Sequence, residues 1–210
     1  MPKVAIKNVN FTATSDRIIR VALNEKLKIL YARDPKLMIV EELGVKHGAA
    51  RVDIAVINGF FHGHEIKSDR DTLLRLPEQM DVYNSVFDKM TLVVGKSHLY
   101  EAINIVPDWW GIMIAKINTD QSVIFQSIRE ARYNQDQDSV AIARLLWRNE
   151  ALEILEKAGE ANGFRSKPRG VIYEKLSTVF DQQILKKKVR KVLFSRRDWP
   201  SDSQLALNGG

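Results

Sequence analysis

The stretch RVDIAVINGFFHGHEIKSD, residues 51 to 69, constrains this chain more than any other. Val52, Ile54 and Val56 alternate with Asp53, Ala55 and Ile57, the period-2 pattern of a strand, and Asn58-Gly59 then signals a hairpin turn. Residues 61 to 67 read as the returning strand. Side chains two apart share a strand face, so Glu65 and Lys67 point one way while His64 and Ile66 point the other. Asp53 joins them when the hairpin register sets it across from Glu65, since each acid lies near the end of its strand farthest from the turn.

Charged groups within apolar strands are costly unless paired or bound to a cation. A salt bridge between Lys67 and either acid, or a solvated strand face, is one reading. The neighbours Val56, Ile57 and Ile66 favour a largely buried pair of strands instead. There Asp53 and Glu65 would supply hard oxygen ligands for Mg2+ or Mn2+, with the Ile66 carbonyl as another. A cation so held polarises a phosphodiester and lowers the pKa of a bound water. Lys67 would orient that water, offset charge on the pentavalent phosphorus and serve in proton transfer. A third acid is expected. Glu42, with Glu41 beside it, closes the apolar run LMIV; adjacent strand positions face opposite ways, so one of the two contributes. Glu42 is the choice and Glu25, on the preceding helix, the rival.

Ser68 opens SDRD, a capping-box pattern leading into a helical run in which Pro77 begins a second segment or kinks the first. Gln79 and Tyr83 lie four apart on that run and share a helical face, placed to hold a scissile phosphate or steady Lys67. Arg70 and Arg75 add positive charge nearby for a nucleic acid.

The order Asp53, Glu65-x-Lys67, Gln79-x-x-x-Tyr83 resembles the PD-(D/E)xK nuclease superfamily, and the Q-x-x-x-Y element is similar to its RecB-like and Cas4-like branch. The wider string HGHEIKSDRDTLLRLPEQMDVYNSVFDKMTLVV, with PDWWG and LLWRNEALEIL downstream, resembles the bacterial and phage sce7726 family of that superfamily. The nuclease-like pattern covers roughly residues 15 to 117. The resemblance implies an α/β, restriction-endonuclease-like core with a central mixed β-sheet flanked by helices, here with a helical C-terminal appendage. It also implies divalent-metal-dependent hydrolysis of DNA. By the same resemblance Asp53 and Glu65 are metal ligands, Lys67 the catalytic lysine, and Gln79 and Tyr83 supporting residues. Val52 stands where the superfamily has proline, and the first-helix acid is not placed.

The remaining segments suit such a core. Residues 15 to 31 show apolar recurrence at helical spacing, with Ser15 or Asp16 as cap. MTLVVG (90 to 95) reads as a buried strand, SHLYEAINIV as a crossover helix ended by Pro107, and WWGIMIAKI as another strand. Trp109 and Trp110 are expected to pack. The expected division is a nuclease-like core at 1–118, a polar connector at 119–139, a basic helical region at 140–200 and a flexible tail at 201–210. One helix is expected from Val140 to Ala158, followed by a Gly- and Pro-broken loop exposing Arg165, Lys167 and Arg169. ILKKKVRKVLFSRRDW, residues 184 to 199, reads as a basic amphipathic helix. Its Lys187, Lys188, Arg190 and Lys191 would track DNA phosphates, form a solvated face or make a subunit contact.

With 210 residues, 45% of them hydrophobic, the chain can bury a sizeable core. The absence of cysteine removes disulfides, thiolate catalysis and cysteine-based zinc sites. With no signal peptide or membrane-length apolar stretch, a cytoplasmic, membrane-free protein is expected. A net charge of +6 suits a polyanionic partner such as DNA, and a homodimer would suit branched or palindromic DNA. His47, His62 and His64 are read as packing or hydrogen-bonding residues rather than a transition-metal cluster, and His98 as a first-turn helix residue without a special partner. The leading expectation is a Mg2+- or Mn2+-dependent deoxyribonuclease. The alternative is a non-cleaving nucleic-acid-binding protein on a nuclease-like fold, in a defence, repair or recombination complex.

Overall fold

The computed structural model describes residues 12–196. Helix α1 (Asp16–Leu30) precedes strands β1 (Met38–Val45), β2 (Ala50–Ile57) and β3 (Phe61–Lys67). Helix α2 (Leu76–Asn84), β4 (Lys89–Gly95), α3 (Leu99–Ile105), β5 (Gly111–Ile117) and β6 (Val123–Arg129) follow. Four helices, α4 (Ser139–Ala143), α5 (Arg148–Lys157), α6 (Arg169–Val179) and α7 (Gln182–Ser195), complete the described fold.

The six strands lie side by side in chain order. β1, β2 and β3 pair antiparallel, β3–β4 and β4–β5 parallel, and β5–β6 antiparallel. Parallel neighbours need crossovers, and α2 and α3 supply them. The result is an α/β protein with a mixed sheet flanked by helices.

Apolar side chains leave the sheet on both faces. On one, Ile19, Leu23 and Leu27 of α1, four residues apart and so on one stripe, cover Ile54, Val56, Ile66, Val93 and Ala115. On the other, Val45, Phe61, Tyr83, Leu92 and Trp110 share one cluster with Ile142, Leu155, Ile172, Leu185 and Val189 of the C-terminal helices. The C-terminal appendage is therefore seated on the same core as the sheet. Trp109 and Trp110 pack as expected, Trp110 fully buried with its indole N–H donating to Asn84 Oδ1 at 2.8 Å.

Several elements differ from the reading of the sequence. The stretch 119–139 is more than a connector, because it holds β6, which pairs with β5 from Ile117↔Val123 onward. As an edge strand β6 leaves Ile124, Gln126 and Ser127 exposed, so no continuous apolar run marks it. The expected helix 140–158 is two helices, broken where Trp147 takes an extended backbone and donates its N–H to the Glu150 carboxylate at 2.7 Å. Asp138 caps the shorter one, accepting from Val140 N–H at 2.9 Å. SDRD closes a turn rather than a helix: Asp71 Oδ2 accepts from Ser68 N–H and Oγ–H at 2.7 and 2.6 Å. α2 then begins at Leu76, with Pro77 in its first turn, where a missing N–H costs nothing. The hairpin connection is three residues, Asn58 to Phe60, since Ile57 pairs with Phe61. The basic helix is α7, capped by Asp181; Arg197 and Asp198, and the expected flexible tail 201–210, lie outside the described residues. Among the described residues no helix is long and apolar enough to cross a membrane.

The simple alternation expected for β2 breaks at one place. Val52 joins Ala55 and Ile57 in the larger cluster, three positions from the nearer of them rather than two, while Ile54 and Val56 enter the other. On β1 the same slip separates Val40 from Leu43 and Val45. Glu42 has φ of 53°, the left-handed region an L side chain rarely adopts, and this rotates the strand by one face. Glu42 and Asp53 sit at the slip, Glu42 between the pairs Glu41↔Ile54 and Leu43↔Val52.

Candidate active site

β2 and β3 place the two acids. The last paired positions away from the turn are Ile54↔His64, so continuing the register sets Asp53 opposite Glu65. Asp53 Oδ2 accepts the Ile66 N–H at 2.6 Å, which ties its carboxylate across to β3. Glu65 and Lys67 share a face, and Lys67 Nζ donates to Glu65 Oε1 at 2.6 Å.

α2 supplies the other two residues at helical spacing. Gln79 Nε2 donates to Glu65 Oε1 at 2.8 Å and to Tyr83 Oη at 3.3 Å. Tyr83 Oη lies 2.8 Å from Glu65 Oε2 and 2.5 Å from the Arg51 carbonyl, with a single proton to share between them. Burial, followed by the Glu65 charge, pushes the Tyr83 phenol well above its ordinary range, so it stays a neutral donor. Gln79 Oε1 is buried with no hydrogen-bond partner among the described residues.

Asp53, Glu65, Ile66, Lys67 and Gln79 all line one open cavity of about 620 Å3, together with Asp16, Glu42 and Arg75. Glu42, chosen as third acid, is thus at the cavity. Its rival Glu25 is not; it is exposed and pairs with Lys28 at 2.8 Å. Glu41 contacts Asn24 on the outside of α1.

Two residues at this end carried no expected role in the site: Asp16, read only as a possible helix cap, lines the cavity, and Arg20 contacts Asp53 beside it. Arg20 Nη2 contacts Asp53 Oδ1 at 2.6 Å and Asp16 Oδ2 at 3.2 Å, and Nη1 contacts Glu42 Oε1 at 2.5 Å. Nη1 also donates to the Asp53 carbonyl at 3.1 Å. Burial alone would lower the Arg20 pKa, yet the hydrogen bond to Asp16 and the charges of Asp53, Asp16 and Glu42 raise it. The one sequence signal was the i, i+4 pair Asp16-x-x-x-Arg20 on the polar side of α1.

Even with Arg20 present, Asp53 is pushed from 3.8 up to about 7, first by burial and then by the Glu65 charge; the Ile66 N–H and Arg20 act against the rise. A buried carboxylate so poised beside a second one fits a hard cation. Mg2+ is commonly held by one or two carboxylates with several waters, and Asp53, Glu65 and the Ile66 carbonyl make up such a donor set. Among the described residues no three His, Asp or Glu side chains converge as a ligand cluster, because Arg20 holds Glu42 and Asp16.

The expected phosphate-binding residues are dispersed. Arg75 lines the cavity and Arg70 is exposed on the preceding turn. Arg165 and Lys167 are exposed, and their carbonyls accept from Arg148 at 2.5 and 3.1 Å. Arg169 lies close enough to His47 to help lower its pKa, after burial. On α7, Lys187 and Lys191 are exposed, Lys188 covers the Phe180 ring at 4.6 Å, and Arg190 lines a different cavity.

The histidines pack. His62 and His64 stack at 4.2 Å, and His62 Nε2 meets Thr91 Oγ1 at 2.8 Å. Burial lowers both, His64 to about 4, so both are neutral near pH 7. His47 packs on Tyr173, and His98, expected to lack a special partner, bonds the Asp71 carbonyl at 3.0 Å.

Fold and cavity define an α/β protein with a mixed sheet and an acid-rich pocket at one end of its hairpin. The family described as Bacteriophage P4 protein cII matches residues 10–207, and the chain belongs to that family. Protein cII of Enterobacteria phage P4 is 30% identical over 121 residues, 58% of this chain and 46% of that protein. The chain thus spans about half the length of the curated relative it matches. A solved structure, the SPO1766 protein of unknown function from Silicibacter pomeroyi, aligns with 72% of this chain and 94% of that one, at 20% identity and a TM-score of 0.39.

Proposed function

We propose that this protein is a Mg2+- or Mn2+-dependent deoxyribonuclease of the PD-(D/E)xK type. The observation that carries the reading is the meeting of Asp53, Glu65, Lys67 and Gln79 in one cavity, with Tyr83 bonded to Glu65 behind its wall. Asp53, Glu65 and the Ile66 carbonyl would hold the cation, which when bound polarises the phosphodiester and acidifies water. Lys67, buried and 2.6 Å from Glu65, would set its amino group beside the scissile phosphate. Gln79 and Tyr83 fix Glu65 from the far side, and Arg75 on the rim meets the DNA backbone.

Arg20 favours a second reading. A guanidinium in contact with Asp16, Glu42 and Asp53 already acts as a fixed cation, which suits a protein that binds DNA on this face without cutting it. One experiment separates the two: wild type, Asp53→Ala and Lys67→Ala are incubated with linear, branched and single-stranded DNA and Mg2+ or Mn2+. Metal-dependent cleavage lost in both variants is expected; cleavage that survives both overturns the site. Binding of every form with cleavage of none by the wild type selects the second reading.

A further inference from the structure

A second cavity, of about 540 Å3, opens at the other end of the same hairpin, against Phe60, Tyr133, Lys186 and Arg190. At about 3.3 Å per residue along β3, it lies on the order of 15 Å from the acid-rich one. Its floor is a closed ion pair: Lys186 Nζ bonds Asp88 Oδ1 and, at 2.9 Å, Gln137 Oε1, while Asp88 Oδ2 accepts the Phe61 N–H at 2.7 Å. That pair has no charge left to offer a ligand.

Arg190 does. It is half-buried, its guanidinium stands 5.7 Å from the Phe61 ring centroid, and among the described residues no carboxylate forms an ion pair with it. Burial lowers its pKa, with the charge of Asp88 acting the other way, and Asp88 is already paired with Lys186. On the cavity rim Tyr133 is 58% exposed and meets Phe60 edge-on at 6.1 Å. Lys89 Nζ sits 4.5 Å from the Tyr133 ring and 5.3 Å from the Phe60 ring. A charged donor without an acid and an exposed ring backed by a second cation together match a ligand carrying both an anionic group and a π-face.

We infer that this cavity is a nucleotide site, in which Arg190 takes the phosphate and Tyr133 stacks on the base. The inference stands apart from the nuclease reading, since no residue is shared between the two cavities. A free nucleotide and a phosphorylated strand end present the same chemistry.

The test is calorimetric titration of the full chain, in EDTA, with dAMP, adenosine, inorganic phosphate and a short 5′-phosphorylated oligodeoxynucleotide. dAMP is expected to bind, with adenosine and phosphate each weaker by about tenfold or more, since each keeps one of the two contacts. Arg190→Gln and Tyr133→Ala should each weaken dAMP by about tenfold. Asp53→Ala should leave it unchanged, so failure of the nuclease site and failure of this one are told apart. Oligonucleotide binding that is also sensitive to Arg190→Gln assigns the site to strand ends; dAMP binding alone assigns it to free nucleotides. No dAMP binding at millimolar concentration, dAMP binding indifferent to both cavity variants, or phosphate binding as tight as dAMP overturns the inference.

Discussion

Each end of the central hairpin carries a buried lysine-carboxylate pair, and the two differ in charge balance. Lys186 and Asp88, with side chains 5% exposed each, are matched one to one, and backbone and amide groups take up the remaining contacts. Lys67 and Glu65, 10% and 2% exposed, sit among three further acids: Asp16, Glu42 and Asp53 share the single guanidinium of Arg20, while Lys67 holds Glu65. The balanced pair ties α7 to the sheet. Burial, and after it the Glu65 charge, leaves Asp53 pushed up to about 7, a group open to a cation or a proton. Burial of an ion pair is therefore not what sets the proposed site apart from the other end; the surplus of one sign is.

Breaking the balanced pair should have the largest effect on folding. Asp88→Ala strands Lys186 in the core and frees the Phe61 N–H, and should cost about 4 kcal/mol in urea unfolding. At the unbalanced end Lys67→Ala should act on chemistry instead. A roughly thousandfold fall in the rate of DNA cleavage is expected, with a smaller loss of stability than Asp88→Ala, because Gln79 and Tyr83 still bond Glu65.

The surplus also predicts a pH dependence of opposite sign to that of an ordinary salt-bridged acid. Asp53 holds its proton more tightly in the folded protein, at about 7, than in the unfolded chain near 3.8. Its contribution to stability is complete below that lower value and is lost as pH rises through about 7. Asp53→Asn should thus raise stability in EDTA at pH 8 by roughly 2 kcal/mol, or about 5 °C in Tm, and by nothing at pH 4. Mg2+ at pH 8 should stabilise the wild type and not Asp53→Asn. Equal pH profiles for the two proteins would remove the distinction between the ends. The smallest effect is expected from Asp181→Ala, which removes the cap of α7. It should cost about 1 kcal/mol and leave cleavage unchanged.

Much of the site was legible where spacing alone decides. Glu65 and Lys67 share a face because strand side chains alternate, and Gln79 and Tyr83 share one because helices repeat every 3.6 residues. Asp53 joined them only on an assumed register, which the three-residue connection from Asn58 to Phe60 supplies. β6 was hidden because an edge strand needs no apolar run, and the break before α5 because Trp147 is an apolar residue in a helical stripe. Glu25 and Asp16 are both acids on α1, and only the docking of that helix turns Asp16 toward the cavity while Glu25 stays with Lys28 in solvent. Lys186 reads in sequence like the basic residues around it, yet it is buried on Asp88.

By itself, then, the sequence determined α1, the β2–β3 hairpin, β4, β5 and the faces of Glu65, Lys67, Gln79 and Tyr83, because backbone periodicity is a local property. Tertiary structure alone decided that Arg20 reaches Asp53 across 33 residues and that Lys186 reaches Asp88 across 98. It also decided that Glu42 takes a left-handed turn at the strand slip. Those outcomes depend on how whole elements pack, and the same packing sets which carboxylates are neutralised and which are left in surplus.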